Sequence, residues 1–480
     1  MTDLHYLSAT EAIAKFRSRE LSPVELVEAV IARAEAVDGA VNAFCHTYYD
    51  RALQQAKEAE SVYSRRPDDA RPLEGIPVAL KDEVTVEGEP ATMASLVYQD
   101  EIATETGPTA ERILAAGGII HARTTTPEFS CAGFTHSRLY GITRNPWNLQ
   151  YGVGGSSGGS GAALAAGTTT LASGSDIGGS IRIPSSFNGV VGFKPPYGRV
   201  PVEVPFNMDT YCHNGPMART VADCALFENS LAGPHPLDHT SLRPKLEIPS
   251  RLEGVEGLRV GYTLDLGGWP VDPEILLNTR ASAESLSEAG AIVDEVDLDI
   301  DHDLLMAAIS VHYQVMFAAW IGGIAEEHRA LLNDYAIEFA EFTARNKGEL
   351  STLAGMDLET RIWAPLGLLF ERYDVLICPT VSTRGLIAGD GYVGHGLEVG
   401  GVEIDNYFDS AFTPLFNLAS RCPVLNVPSG FADNGVPTGI QVVSRTYDDV
   451  TAFRVGAALE RINPWWNGDS LPQFTGAPAT

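Results

Sequence analysis

Gly154-Gly155-Ser156-Ser157-Gly158-Gly159-Ser160-Gly161 and Ser173-Gly174-Ser175-Asp176-Ile177-Gly178-Gly179-Ser180-Ile181-Arg182 lie close together in the second quarter of the chain. Between them run Ala162-Ala163-Leu164-Ala165-Ala166-Gly167, a short helix former closed by a glycine free to take positive φ, and the strand-like stretch Thr168 to Ala172. Loop, helix, strand and loop bring the two runs to one place, which reads as the catalytic centre of a serine hydrolase. A flexible linker is also rich in Gly and Ser, but it is not interrupted by an alanine helix and an Asp-Ile pair. Glycine at such a place lets backbone N–H groups approach a developing oxyanion with no side chain in the way.

At 480 residues and 44% hydrophobic, the chain can bury a large core. Its 62 acidic residues outnumber 33 basic ones, and the formal charge of −29 opposes nucleic acid and anionic lipid as partners. Cys45, Cys131, Cys212, Cys224, Cys378 and Cys422 form no CxxC pair, which suits reduced thiols in a cytoplasmic protein. Met1-Thr2-Asp3-Leu4-His5 has neither a basic start nor an apolar run, and no segment reaches transmembrane length.

Ser8-Ala9-Thr10-Glu11 and Ser22-Pro23-Val24-Glu25 read as capping boxes, so residues 1–60 are expected to be mainly helical and to pack outside the rest of the chain. Gly75 to Lys81 reads as a buried strand, Thr109 to Ala116 as a helix and Ile119 to Ala122 as a strand. The alternation continues with a helix from Thr220 to Leu231, a strand at Leu258–Tyr262, a helix at 273–289 and a strand from Ala291. The acids Asp294, Asp297, Asp299, Asp301 and Asp303 read as a solvated strand face. Residues 304–370 are largely helical, a lid, a pocket roof or an ordinary layer. Asp374 to Thr380, Phe416-Asn417-Leu418 with Val424 to Phe431, and Gly439 to Val443 supply further strands, and Asp449 to Ile462 a closing helix. No repeat or linker divides the chain. The pattern predicts a single α/β/α domain, 1–480, with a twisted mixed sheet covered by helices on both faces and a core at 70–230.

Serine needs a base to become a nucleophile. Gly154-Gly155-Ser156-Ser157-Gly158 satisfies the G-x-S-x-G elbow of an α/β-hydrolase esterase, with His395 as the one later histidine suitably placed. His235, Asp238 and His239 resemble a metal site, but flanking prolines oppose the helix that spacing needs, so no metal is expected. No lysine follows the glycines as a phosphate-binding loop requires.

A lysine held neutral is the other base. Lys81-Asp82, Gly154 to Ser160 and Asp176 to Arg182, with 75 residues from Lys81 to Ser156 and 24 from Ser156 to Ser180, resemble the amidase signature family. The resemblance runs from about Ser8 to Arg461. It implies a catalytic triad with Ser180 as nucleophile, Ser156 as a bridging serine on a cis peptide, and Lys81 as base. It further implies an oxyanion hole from the N–H groups of Ile177, Gly178, Gly179 and Ser180. Asp176, Arg182 and Ser157 are expected to brace the loop. Lys81 must then titrate near neutrality rather than near about 10.4, a bias of about 4 kcal/mol that burial without a committed carboxylate would supply. Asp82, next along an extended strand, points away. Ser175 stands where the family commonly has threonine.

The expected activity is hydrolysis of a small-molecule carboxamide through an acyl-enzyme, with no cofactor. Phe129, Phe134, Tyr140, Phe206 and Tyr211 tilt the pocket toward an aryl or hydrophobic amide, and an ester or carbamate would suit the same machinery. An amidotransferase A subunit is the alternative within the family, and a homodimer is left open.

Overall fold

Eleven strands form one mixed sheet in the computed structural model, which describes residues 3–466 and 471–472. Met1 and Thr2 of the N-terminal stretch lie outside the described residues. Across the sheet the order is Phe44–Thr47, Ile119–Thr124, Pro77–Lys81, Leu171–Asp176, His213–Ala218, Val191–Lys194, Val424–Phe431, Pro437–Ser444, Val375–Pro379, Arg259–Tyr262 and Ile292–Glu295. Pro77–Lys81 runs parallel to both neighbours, the six strands from Leu171–Asp176 to Val375–Pro379 are paired antiparallel, and parallel pairing returns at the far edge. Successive strand residues enter different cores, as the pleat dictates. Val78 and Leu80 join one apolar cluster and Ala79 another; Val375 and Ile377 face one side, Leu376 and Cys378 the other. Helices therefore cover both faces, and the single α/β domain expected from the sequence is the one observed.

The N-terminal helices Ala9–Ser18 and Pro23–Val41 start at the two predicted caps. At Ser22 the reciprocal box is complete, with Ser22 Oγ accepting from Val24 and Glu25 and Glu25 Oε2 accepting from Ser22 N–H at 2.8 Å. At Ser8 only the serine half forms, and Asp223 takes the orphan N–H groups of Ala9 and Thr10 at 2.7 and 2.9 Å. The helical reading of residues 1–60 misses an edge strand, Phe44–Thr47, which pairs with Ile119–Thr124 across a bulge at Cys45. A four-residue strand at a sheet edge leaves little periodicity to read.

Two other expectations change. The strand after Ala291 ends at Glu295; Asp301 instead caps the helix His302–Tyr313, its carboxylate accepting from Leu304 N–H. Leu415–Leu418, containing Phe416 and Asn417, is a single helical turn. The segment read as largely helical resolves into His302–Tyr313, Phe317–His328, Asp334–Lys347 and Thr352–Phe370. No single helix among the described residues is long and apolar enough to cross a membrane.

Pairing of Val78 with Leu171 and Ala79 with Ala172 sets two parallel strands side by side. Their C-terminal ends, Lys81 and Asp176, therefore open on the same edge of the sheet, where α/β folds place their chemistry.

Candidate active site

Lys81 ends its strand fully buried. Its Nζ lies 2.7 Å from Ser156 Oγ, 2.7 Å from Ser175 Oγ and 3.2 Å from Glu83 Oε2. Burial pulls the ammonium below its ordinary value, against the opposing pull of Glu83. The expectation that no carboxylate is committed to Lys81 is thus overturned. Asp82 does point away, onto the Thr92 hydroxyl and Ala94 N–H, but the chain turns at once, with Val84 N–H on Lys81 O, and brings Glu83 back onto Nζ. Glu83 sits in that turn and not on the extended strand, so strand alternation gives no sign of it.

Ser156 follows a cis peptide bond from Gly155. A Cβ at 155 would run into the backbone of Ala132 and Phe134, so close packing demands this glycine. The helix Gly158–Ala166 carries the run away and ends at Gly167, φ 75°. Ser157 N–H donates to Ser180 O at 3.1 Å and its hydroxyl to Ser175 O at 3.3 Å, which ties the two glycine-serine loops together.

Asp176 and Arg182, both fully buried, form a bidentate pair at 2.9 and 2.8 Å. Burial opposes the Asp176 charge, but Arg182 outweighs it and holds the carboxyl well below the usual range. Asp176 also accepts from Gly179 N–H at 2.9 Å and Ile181 N–H at 3.2 Å, so the carboxylate folds the loop around itself. The far end of the guanidinium reaches Thr413 O, Gln441 Oε1 and Asn417 Oδ1 at 2.8, 2.6 and 2.7 Å.

These bonds narrow the predicted oxyanion hole. Gly179 N–H is spent on Asp176, while among the described residues none accepts from Ile177, Gly178 or Ser180 N–H. The Ile177 and Gly178 carbonyls are held by the hydroxyls of Tyr313, 2.9 Å, and Thr413, 2.7 Å. Ser180 is 7% exposed and its hydroxyl makes no hydrogen bond among the described residues, to Ser156 included. The three-residue chain is closed between Lys81 and Ser156 and open between Ser156 and Ser180. A serine has one χ1 to turn, and such bonds commonly tighten only when substrate binds.

A cavity of about 480 Å³ opens beside Ser156 and Ser175. Of the predicted aromatics, Phe129 and Phe206 line it, joined by Phe317 and Met93. A smaller adjoining pocket holds Ser180 and Gly178 with Tyr313, Phe317 and Phe408. Phe134, Tyr140 and Tyr211 line neither, contrary to expectation. Phe134 is buried, stacked on His136 at 4.8 Å; Tyr140 bonds His46 and Thr92 at 3.0 and 2.7 Å; Tyr211 stacks on His312 at 3.5 Å and donates to Glu359. Each ring finds its partners inside the protein, which sequence spacing does not reveal. The cavity also carries Glu83, Glu105 and Glu203, and no Lys, Arg or His among the described residues that line it.

His395 bonds Asp390 at 3.1 Å and Gly396 O, so Ser156 is served by lysine and the esterase elbow reading falls away. His235 pairs with Glu111 at 2.9 Å, and Asp238 accepts from Val202, Thr240 and Asn207. Cys45, His46 and Asp82 bring ligand atoms within 4.8 Å of one another, yet Asp82 is already occupied by Cys45, Thr92 and Ala94, and His46 by Tyr140.

Comparison with known proteins agrees with this geometry. The Amidase family model matches residues 25–453. The chain is 33% identical to an acylamidase of Rhodococcus erythropolis, covering 96% of this chain and 97% of that one. It is also 33% identical to the A subunit of the glutamyl-tRNA(Gln) amidotransferase of Chloroflexus aggregans, covering 97% and 98%. Among solved structures, a bacterial aryl acylamidase of the amidase signature enzymes superposes with a TM-score of 0.88 at 31% identity, over 96% of this chain and 97% of the other. A 6-aminohexanoate cyclic dimer hydrolase gives 0.81 at 28%, over 97% and 98%. Matches of this extent show that the chain is an enzyme of the amidase signature family.

Proposed function

We propose that the protein hydrolyses the C–N bond of a neutral aryl or hydrophobic carboxamide through an acyl-enzyme on Ser180. The observation that carries the reading is the 2.7 Å contact between a wholly buried Lys81 and Ser156, whose neighbour Ser157 donates its N–H to Ser180 O at 3.1 Å. Neutral Lys81 draws the proton of Ser156 Oγ, Ser156 draws that of Ser180, and Ser180 Oγ attacks the carbonyl carbon. The N–H groups of Ile177, Gly178 and Ser180 are the donors available to the oxyanion. The Lys81 ammonium then returns the proton through Ser156 Oγ alone to the departing amine, since Ser180 Oγ is by then bonded to the carbonyl carbon. Water then attacks the ester, the relay again removing its proton, and the acid leaves. An ester or carbamate of similar shape would follow the same course. Phe129, Phe206 and Phe317 favour an apolar substituent, and Phe317 with Tyr313 makes the helices after His302 the pocket roof. All six cysteines are free, which suits a reducing, cytoplasmic setting.

The amidotransferase reading is favoured by the relatives that bear that name. It is opposed by the cavity: free glutamine carries a carboxylate, and none of the described residues lining the cavity offers it a cation.

Mass spectrometry after a fluorophosphonate probe tests the mechanism, with the adduct expected on Ser180 and absent from Ser180→Ala. A panel of anilides, aliphatic amides, esters and glutamine, assayed with the chain alone, tests the substrate. An unlabelled Ser180, or turnover confined to glutamine, would sink the proposal.

A further inference from the structure

Lys81 Nζ meets three acceptors, the hydroxyls of Ser156 and Ser175 at 2.7 Å each and Glu83 Oε2 at 3.2 Å. That number matches the three N–H bonds of an ammonium, so the arrangement fits the protonated, resting lysine. A base must shed one of these protons first. Of the three neighbours only Glu83 can accept it outright at ordinary pH, since a serine hydroxyl is far too weak a base for the ammonium. Lys81 has no solvent exposure of its own, whereas the Glu83 side chain is 17% exposed and lines the substrate cavity.

We propose that Glu83 is the acid–base partner of Lys81: its carboxylate holds the resting ammonium, is the route by which that proton passes to cavity water, and so governs the pH at which the relay becomes active. This rests on the lysine–serine relay of the preceding section. The step balances within the pair. Lys81–NH3⁺ and Glu83–COO⁻ become Lys81–NH2 and Glu83–COOH, one N–H bond breaking as one O–H bond forms, with no change in total charge. Burial raises the Glu83 carboxyl, but Lys81 and the hydroxyls of Ser130 and Ser175 outweigh it and hold it below its ordinary range, so the ion pair is the resting state and the neutral pair the step out of it. Ser130 Oγ, 2.5 Å from Glu83 Oε2, fixes the carboxyl against the lysine. Glu83 acts through Lys81 and is a positioning residue rather than a catalytic one.

Four other charged or titratable groups face the pair. Asp176, at the end of the adjacent strand, is neutralised by Arg182. Arg123, from the other neighbouring strand, donates to the carbonyls of Lys81 and Asp82 and is paired with Glu89. Burial pushes the Cys212 thiol well up, so it stays protonated. Glu203, in the cavity wall, is pushed up to about 7 by burial, with Glu83 adding to the effect. Glu203 is thus the group whose titration could be mistaken for that of the pair.

The test follows the pH dependence of fluorophosphonate labelling of Ser180 in the wild type, Glu83→Gln, Glu83→Asp and Glu203→Gln, which needs no knowledge of the substrate. Removing the carboxylate that retains the lysine proton should move the ascending limb of Glu83→Gln to lower pH by about one pH unit or more. Glu83→Asp, one methylene shorter, should move it the same way by less; should Glu83→Gln not fold, an unmoved Glu83→Asp limb overturns the proposal. A Glu83→Gln limb within about 0.3 of the wild type overturns it, as does a larger shift in Glu203→Gln. Absence of labelling in the wild type would sink the relay as well, which separates the two failures.

Discussion

Thr413 stands against the Cα of Gly179: its hydroxyl donates to the Gly178 carbonyl at 2.7 Å, and any Cβ at 179 would overlap it. Gly179 also holds φ 126°, a region that side chains rarely enter. Gly179→Ala should therefore displace the loop that carries Ser180. Expected are a loss of roughly 1–3 kcal/mol in stability and a drop in kcat well beyond what that loss explains. Urea unfolding and steady-state kinetics measure the two separately.

Replacing Lys81 with methionine keeps the buried stem and deletes the base. A fall in kcat/KM of about 10³-fold is expected, within the range of general-base contributions, with a lowered urea midpoint as well, because Glu83 is left without its counter-ion. Ser156→Ala should resemble it, and Ser180→Ala should leave no labelled protein at all.

Asp176→Asn leaves Arg182 charged and fully buried without its counter-ion. Breaking such a pair costs about 3–5 kcal/mol, and a lowered denaturation midpoint in urea checks it. Asn keeps an oxygen for only some of the donors on Asp176, so labelling of Ser180 should slow as well.

His312 supplies a pH signature away from the reacting atoms. Burial works against its charge, but the hydrogen bond to Asp209, 2.7 Å, and the Glu359 carboxylate 3.6 Å away outweigh it and raise the imidazolium to about 9. A histidine raised on folding stabilises fully below its unfolded value near 6.5, and that contribution disappears as pH rises through about 9. Thermal scans of His312→Gln should show melting about 2–4 °C below wild type at pH 6, the gap closing toward pH 10.

Glu105, joined by Glu203 as it ionises above about 7, should make the cavity repel anionic substrates. An anilide bearing a carboxylate should show kcat/KM tenfold or more below its neutral methyl-ester isostere, a difference of about 1.4 kcal/mol. Competition assays with equal mixtures of the two read the ratio directly.

Much of this site is legible in the sequence because its chemistry needs glycine, serine and lysine at particular places on adjoining strands. The strand ending at Lys81, the helix stopped by Gly167 and the loop from Asp176 to Arg182 follow from local composition. What was missed depends on packing between distant segments. Glu83 reaches Lys81 only because the chain turns immediately after the strand, and Ser175, noted merely as a substitute for threonine, proves to touch the same amine. The aromatic loop shows the limit most clearly. Phe129 faces the cavity while Phe134, five residues on, is sealed under Tyr335, and no periodicity distinguishes them.

The partners of Arg182 lie 231, 235 and 259 residues downstream, at Thr413, Asn417 and Gln441. A chain emerging from the ribosome thus carries Ser180 long before the segments that shape the loop around it have been synthesised. A fragment cut short before the final hairpin would hold Lys81, Ser156 and Ser180 yet lack Gln441, leaving Arg182 without one of the acceptors that fix the loop.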